Sequence, residues 1–125
     1  MSKFIFSFLI LFSSAIASDK TEIIKIFDQF TISNAIASMC EKPNQKVLAK
    51  FIANFEVISN YVQIELEKKH PSATKDKIKK VMKMGVEQIT SNAKKLVDKK
   101  GCDDPSIQEA IKRFYAQAEW DIYKP

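Results

Sequence analysis

Residues 98–105 read DKKGCDDP, a helix stop, a cysteine and a helix start in one short run. Lys99 and Lys100 suit the negative end of a helix dipole, and Gly101 supplies the backbone freedom that commonly closes a helix. Asp104 can cap the next helix, with Pro105 at its first position. Between stop and start sits Cys102, and the chain has one other cysteine, Cys40.

Working outward, the helix before this corner opens near Ser72 or Thr74, and Asp76 suits its positive end. Its stripe is Ile78, Val81, Met82, Ile89, Ala93, Leu96 and Val97. Gly85 interrupts the stripe, as expected where a neighbouring helix approaches closely. Upstream, Asn44 can cap a helix whose apolar positions, Val47, Leu48, Phe51, Ile52, Phe55, Ile58, Val62 and Leu66, recur at three- and four-residue steps. That helix stops near Lys69, because His70 precedes Pro71. Beyond the corner, Ile107, Ala110, Ile111, Phe114, Tyr115, Ala118 and Ile122 form the face of a last helix. The first helix has Asp19 and Glu22 in a capping-box relation. It carries Ile23, Ile26, Phe27, Phe30, Ile36, Met39 and Cys40 at helical spacing up to Pro43, and the polar, partly β-branched stretch Thr31–Asn34 leaves room for a kink.

Geometry then assigns the cysteines. The second helix runs over 44–69 and the third over 74–99, each roughly 39 Å long at 1.5 Å per residue. A connection of a few residues folds them into an antiparallel hairpin. Equal arms return the chain to its starting end, so Cys40, before the hairpin, and Cys102, after it, meet there. In an oxidising compartment two such cysteines pair. The expected architecture is an all-α four-helix up-down bundle with a Cys40–Cys102 disulfide.

The opening segment, MSKFIFSFLILFSSAIAS, carries one early cation, Lys3, then an apolar run from Phe4 to Phe12, then small residues. Ala15 and Ala17 form an A-x-A site, which predicts a secretory signal peptide over 1–17, cut after Ala17, and a mature domain over 18–125. The run is far short of the roughly 18–20 residues that span a bilayer. The mature chain is therefore expected in the periplasm or secreted, with no transmembrane segment. Composition agrees with one helical domain: 46% hydrophobic and 28% charged residues with only two glycines, too few for the turns of a small β protein. The formal net charge of +5 falls to +4 once Lys3 leaves, a mild preference for acidic partners.

Enzymatic chemistry finds little support. There is no C-x-x-C, no Gly-rich phosphate loop, no G-x-S-x-G and no H-E-x-x-H. Two cysteines and the single histidine fall short of a four-ligand zinc site, and CDDP lacks the alternating ligands of a calcium loop. A Cys102–His70 nucleophile would need residues from opposite ends of the hairpin. No catalytic residue, cofactor or metal is expected.

Two surfaces remain. The stretch KKHPSATKDKIKKVMKM places Lys68, Lys69, Lys75, Lys77, Lys79, Lys80 and Lys83 near the hairpin tip against Asp76 alone. Such a tip suits an anionic lipid, polymer or acidic protein face. It lacks the arginine forks and interleaved aromatics of sequence-specific nucleic-acid readers. The other surface is the tail, where Trp120 and Tyr123 are candidate interface anchors. Val57, Tyr61 and Ile64 widen the apolar surface of the second helix, as expected for contact with both neighbouring helices or with another subunit. The expected function is an exported, non-enzymatic protein-binding module of inhibitor or immunity type. A carrier of an apolar ligand or lipid held between the helices, and a polyanion or envelope-surface binder acting through the lysine tip, are the alternatives.

Overall fold

The computed structural model describes residues 22–122. Four helices fill it: α1 (Glu22–Cys40), α2 (Gln45–Lys69), α3 (Lys75–Lys100) and α4 (Pro105–Glu119), with no strand among the described residues. The expected signal peptide with its cut after Ala17, the Asp19 cap and Tyr123 lie outside the described residues.

Local chemistry sets each boundary. The Asn44 side chain accepts a hydrogen bond from Val47 N at 2.9 Å and opens α2. Thr74, rather than Ser72, opens α3, accepting from Lys77 N at 3.1 Å. Asp104 accepts from Ser106 N at 2.9 Å with Pro105 in the first turn of α4. The Ser106 hydroxyl and amide hold the Asp104 carboxyl below the usual carboxylate range. These caps satisfy amides that a helix start leaves without partners. At the end of α3, Gly101 adopts φ 84° and ψ 157°, a region essentially reserved for glycine.

The short connections make sequential helices antiparallel, but the packing is not that of a simple ring. α1 lies against all three other helices and α4 against α1 and α2, whereas α3 barely meets α4. Within the hairpin, α2 and α3 touch each other less than each touches other helices. With neighbours on several sides, α1 buries Thr31 and Ser33 along with Phe27, Phe30, Ala35, Ile36 and Ala37. α1 runs through 31–34 as one continuous helix, and the Thr31 hydroxyl donates to Phe27 O at 2.9 Å. That bond satisfies the buried hydroxyl without breaking the helix.

The core has two parts. Toward the middle, Phe30, Phe51 and Phe114 are fully buried, and the Phe51 and Phe114 rings stack with centroids 4.4 Å apart. Nearer the corner, Ile36, Ala93, Ile107 and Ile111 form a second cluster, with Cys40 packed against it. There Cys40 and Cys102 are disulfide-bonded, with their Cα atoms 5.7 Å apart. The Tyr115 hydroxyl donates to Glu41 Oε1 at 3.1 Å, adding a second tie between the end of α1 and α4. Burial first, and then this carboxylate partner, raise the Tyr115 phenol above its ordinary value.

Several stripe positions are corrected. Met39, Ile52, Val81 and Leu96 share the helical spacing of the core, yet are exposed. They sit at helix ends or stripe borders, where burial requires a neighbouring helix that does not reach them. Gly85 is also corrected: a Cβ built there meets nothing within 4 Å, so no helix approaches it closely. It lies inside α3 without the positive φ that would favour glycine. Gly85→Ala is therefore expected to stabilise the protein by roughly 0.5–1 kcal/mol through helix propensity and a stiffer unfolded chain. Thermal denaturation followed by circular dichroism checks it, and a lower melting temperature would contradict the open space at this position.

Candidate functional site

The hairpin tip is built by α2 outrunning its partners. The rings of Phe27 on α1 and Phe55 on α2 lie 5.4 Å apart, which sets these two residues at one level. From that level the described part of α1 reaches back to Glu22, whereas α2 continues to Lys69. The difference is roughly nine residues, or about 13 Å of helix. α4 stops sooner: Phe114 is level with Phe51, and the helix ends at Glu119. The hairpin thus extends beyond both, and its turn lies at the end opposite the disulfide.

All seven tip lysines, Lys68, Lys69, Lys75, Lys77, Lys79, Lys80 and Lys83, are exposed. Among the described residues, no carboxylate pairs with Lys68, Lys75, Lys77, Lys79, Lys80 or Lys83. Asp76 is the one acid between Lys68 and Lys83. Below the turn, a cleft of about 460 Å³ has Leu66, Ile78 and Val81 on its walls, with His70 and Lys77 beside them. Val81 and Met84 are 54% and 59% exposed, so the basic tip also presents apolar surface.

The second surface runs along α2. Asn54, Val57, Tyr61 and Ile64 follow one another at three- and four-residue steps, which puts them on one edge of the helix. Asn54 anchors the tail to that edge: its Nδ2 donates to Gln117 O at 2.7 Å and to Trp120 O at 2.9 Å. Gln117 O also accepts from the closing Trp120 amide at 3.4 Å, so Asn54 adds a second bond at the end of α4. One turn before Asn54, Lys50 pairs with Glu119 at 3.3 Å, although both side chains are well exposed and the pair contributes little stability. Trp120 packs its ring 6.1 Å from Phe30 yet stays 40% exposed, beside Tyr61 at 51% and Ile64 at 48% further along. The tail thus both closes the core and presents an aromatic side chain to solvent.

The residues with reactive chemistry are not brought together. His70 lies at the turn, and the arm of α2 separates it by roughly 37 Å from the disulfide corner. Both sulfurs are consumed in the Cys40–Cys102 bond. No group of three or more His, Cys, Asp or Glu side chains suited to a metal ion occurs among the described residues. The space between the helices, where a carrier would hold an apolar ligand, is filled at its centre by the Phe30, Phe51 and Phe114 rings.

Sequence reasoning found the lysine tip and Trp120, and it singled out Val57, Tyr61 and Ile64 without deciding between neighbouring helices and another subunit. The regular spacing from Lys50 through Asn54, Val57, Tyr61 and Ile64 to Lys68 was the available signal. No helix among the described residues is long and apolar enough to cross a membrane. The chain matches no protein-family model, and neither a curated protein nor a solved structure is similar to it.

Proposed function

We propose that this is an exported, non-enzymatic protein-binding module of inhibitor or immunity type, docking its partner through the edge of α2. The observation that carries the reading is the exposed Tyr61 and Ile64 on one edge of α2, with the half-exposed Trp120 tied to that edge through Asn54, on a scaffold held by a buried aromatic core and a disulfide. Tyrosine and tryptophan supply large contact area at low conformational cost, and they dominate binding energy at interfaces. Export is supported by the apolar run before the A-x-A site and by the disulfide, which persists in oxidising compartments.

Charge narrows the partner. The edge reads Lys50, Asn54, Val57, Tyr61, Ile64, Lys68, alternating steps of four and three. That is the spacing with which one helix meets another along a seam. A second copy lying antiparallel would set Lys50 opposite Lys68 at both ends, and a parallel copy would set each lysine against itself. Lys50 is already paired with Glu119, so the charge left for a partner to meet is that of Lys68. The fitting partner offers an apolar helix face with a carboxylate placed for Lys68.

The test is isolation of a complex from envelope or secreted material, followed by titration of the identified partner. A one-to-one complex is expected, weakened at least 30-fold by Tyr61→Ala combined with Ile64→Asp while helicity is unchanged. Absence of a stoichiometric partner, or a partner indifferent to both substitutions, overturns the reading.

A further inference from the structure

We propose that the tip of the α2–α3 hairpin is a docking surface for an anionic lipid bilayer, with Val81 and Met84 entering the headgroup layer. This contact is separate from the α2 edge and does not depend on it.

The charge is placed for it. The tip lysines project from the part of the hairpin that extends beyond the described part of α1 and beyond α4, so among the described residues neither helix stands between them and a broad flat surface. Within α3, Lys77, Val81 and Met84 follow at steps of four and three, and Lys80 precedes Met84 by four. The exposed apolar pair is therefore flanked by lysines one turn away. That arrangement suits the boundary between headgroups and acyl chains: apolar side chains enter, while lysine stems lie along the surface and leave their ammonium groups among phosphates. Anionic lipid adds an attraction that grows with each lysine near the surface and fades beyond a Debye length.

A soluble polyanion would use the lysines but gain nothing from Val81 and Met84, whereas a bilayer uses both.

The test is co-sedimentation of the mature chain, residues 18–125, with vesicles of phosphatidylcholine alone or with one quarter phosphatidylglycerol. At low salt, partition onto the anionic vesicles is expected to be at least tenfold stronger and to fall steeply as salt approaches physiological strength. Lys77→Gln, Lys80→Gln and Lys83→Gln together remove most of that preference. Lys46→Gln, Lys94→Gln and Lys112→Gln, the same charge loss elsewhere on the exposed surface, leave it within twofold. Val81→Ser with Met84→Ser weakens vesicle binding several-fold and leaves binding to inorganic polyphosphate unchanged. Hydrogen exchange should slow on vesicle addition within the 70–84 stretch. Equal partition onto both vesicle types, equal loss in the two lysine triples, or serine variants that bind vesicles like the parent each overturn the proposal. The last result would make the tip a site for soluble polyanions or acidic proteins instead.

Discussion

Phe114→Ala is expected to destabilise the protein by about 3–5 kcal/mol, the range for deleting a large aromatic side chain from a closed core. Phe114 has no solvent exposure, stacks on Phe51 at 4.4 Å and meets Tyr115 edge-on at 5.4 Å. Removing the ring therefore empties a volume bounded by α1, α2 and α4, and none of them can close it without disturbing the other two. A domain of this size is stable by only about 5–15 kcal/mol, so one substitution removes a large share. The melting temperature should fall by roughly 15–30 °C. Urea denaturation followed by circular dichroism measures the loss, and Phe114→Leu should recover much of it by refilling the site. A loss below about 1 kcal/mol for the alanine variant would show that the stacked rings are not the centre of the core.

Breaking the Cys40–Cys102 bond, by reduction or by paired serine substitutions, should cost about 4 kcal/mol. That is the chain-entropy value for a crosslink closing a loop of this size, here between positions 62 apart in sequence. The loop contains the whole hairpin, so the constraint acts chiefly on the unfolded chain, which would otherwise let α2 and α3 swing away from α1. The folded helices should persist at 25 °C, with the denaturation midpoint lowered. The slope should steepen, because the unfolded chain without the crosslink is more expanded and exposes more surface. An unchanged midpoint under reducing conditions would overturn the crosslink as a determinant of stability.

Most helix boundaries were legible in the residues because they are set locally. Asn44, Thr74 and Asp104 each satisfy amides within three residues of themselves. Gly101 accepts a backbone conformation closed to other residues. The disulfide was legible for a related reason, since two helices of nearly equal length joined by a short turn must bring their flanking residues back together. Of the candidate surfaces, the lysine tip was visible as a run of charge and Trp120 as a lone large aromatic. The α2 edge was harder to see. Val57, Tyr61 and Ile64 have the spacing of a buried stripe, and spacing alone is silent on whether a neighbour covers it.

Burial was decided at the tertiary level for the same reason. The central place of α1 was hidden because Thr31 and Ser33 interrupt its apolar pattern, yet helices on several sides bury both. Conversely, Ile52, Val81 and Leu96 keep perfect helical period and end exposed, and Gly85 faces open space where a close neighbour was expected. Caps, turns and periodicity are properties of a few consecutive residues, so the sequence by itself determined where the helices begin and end and which cysteines meet. Which side of each helix has company depends on how far every other helix reaches, and only the assembled bundle decided that.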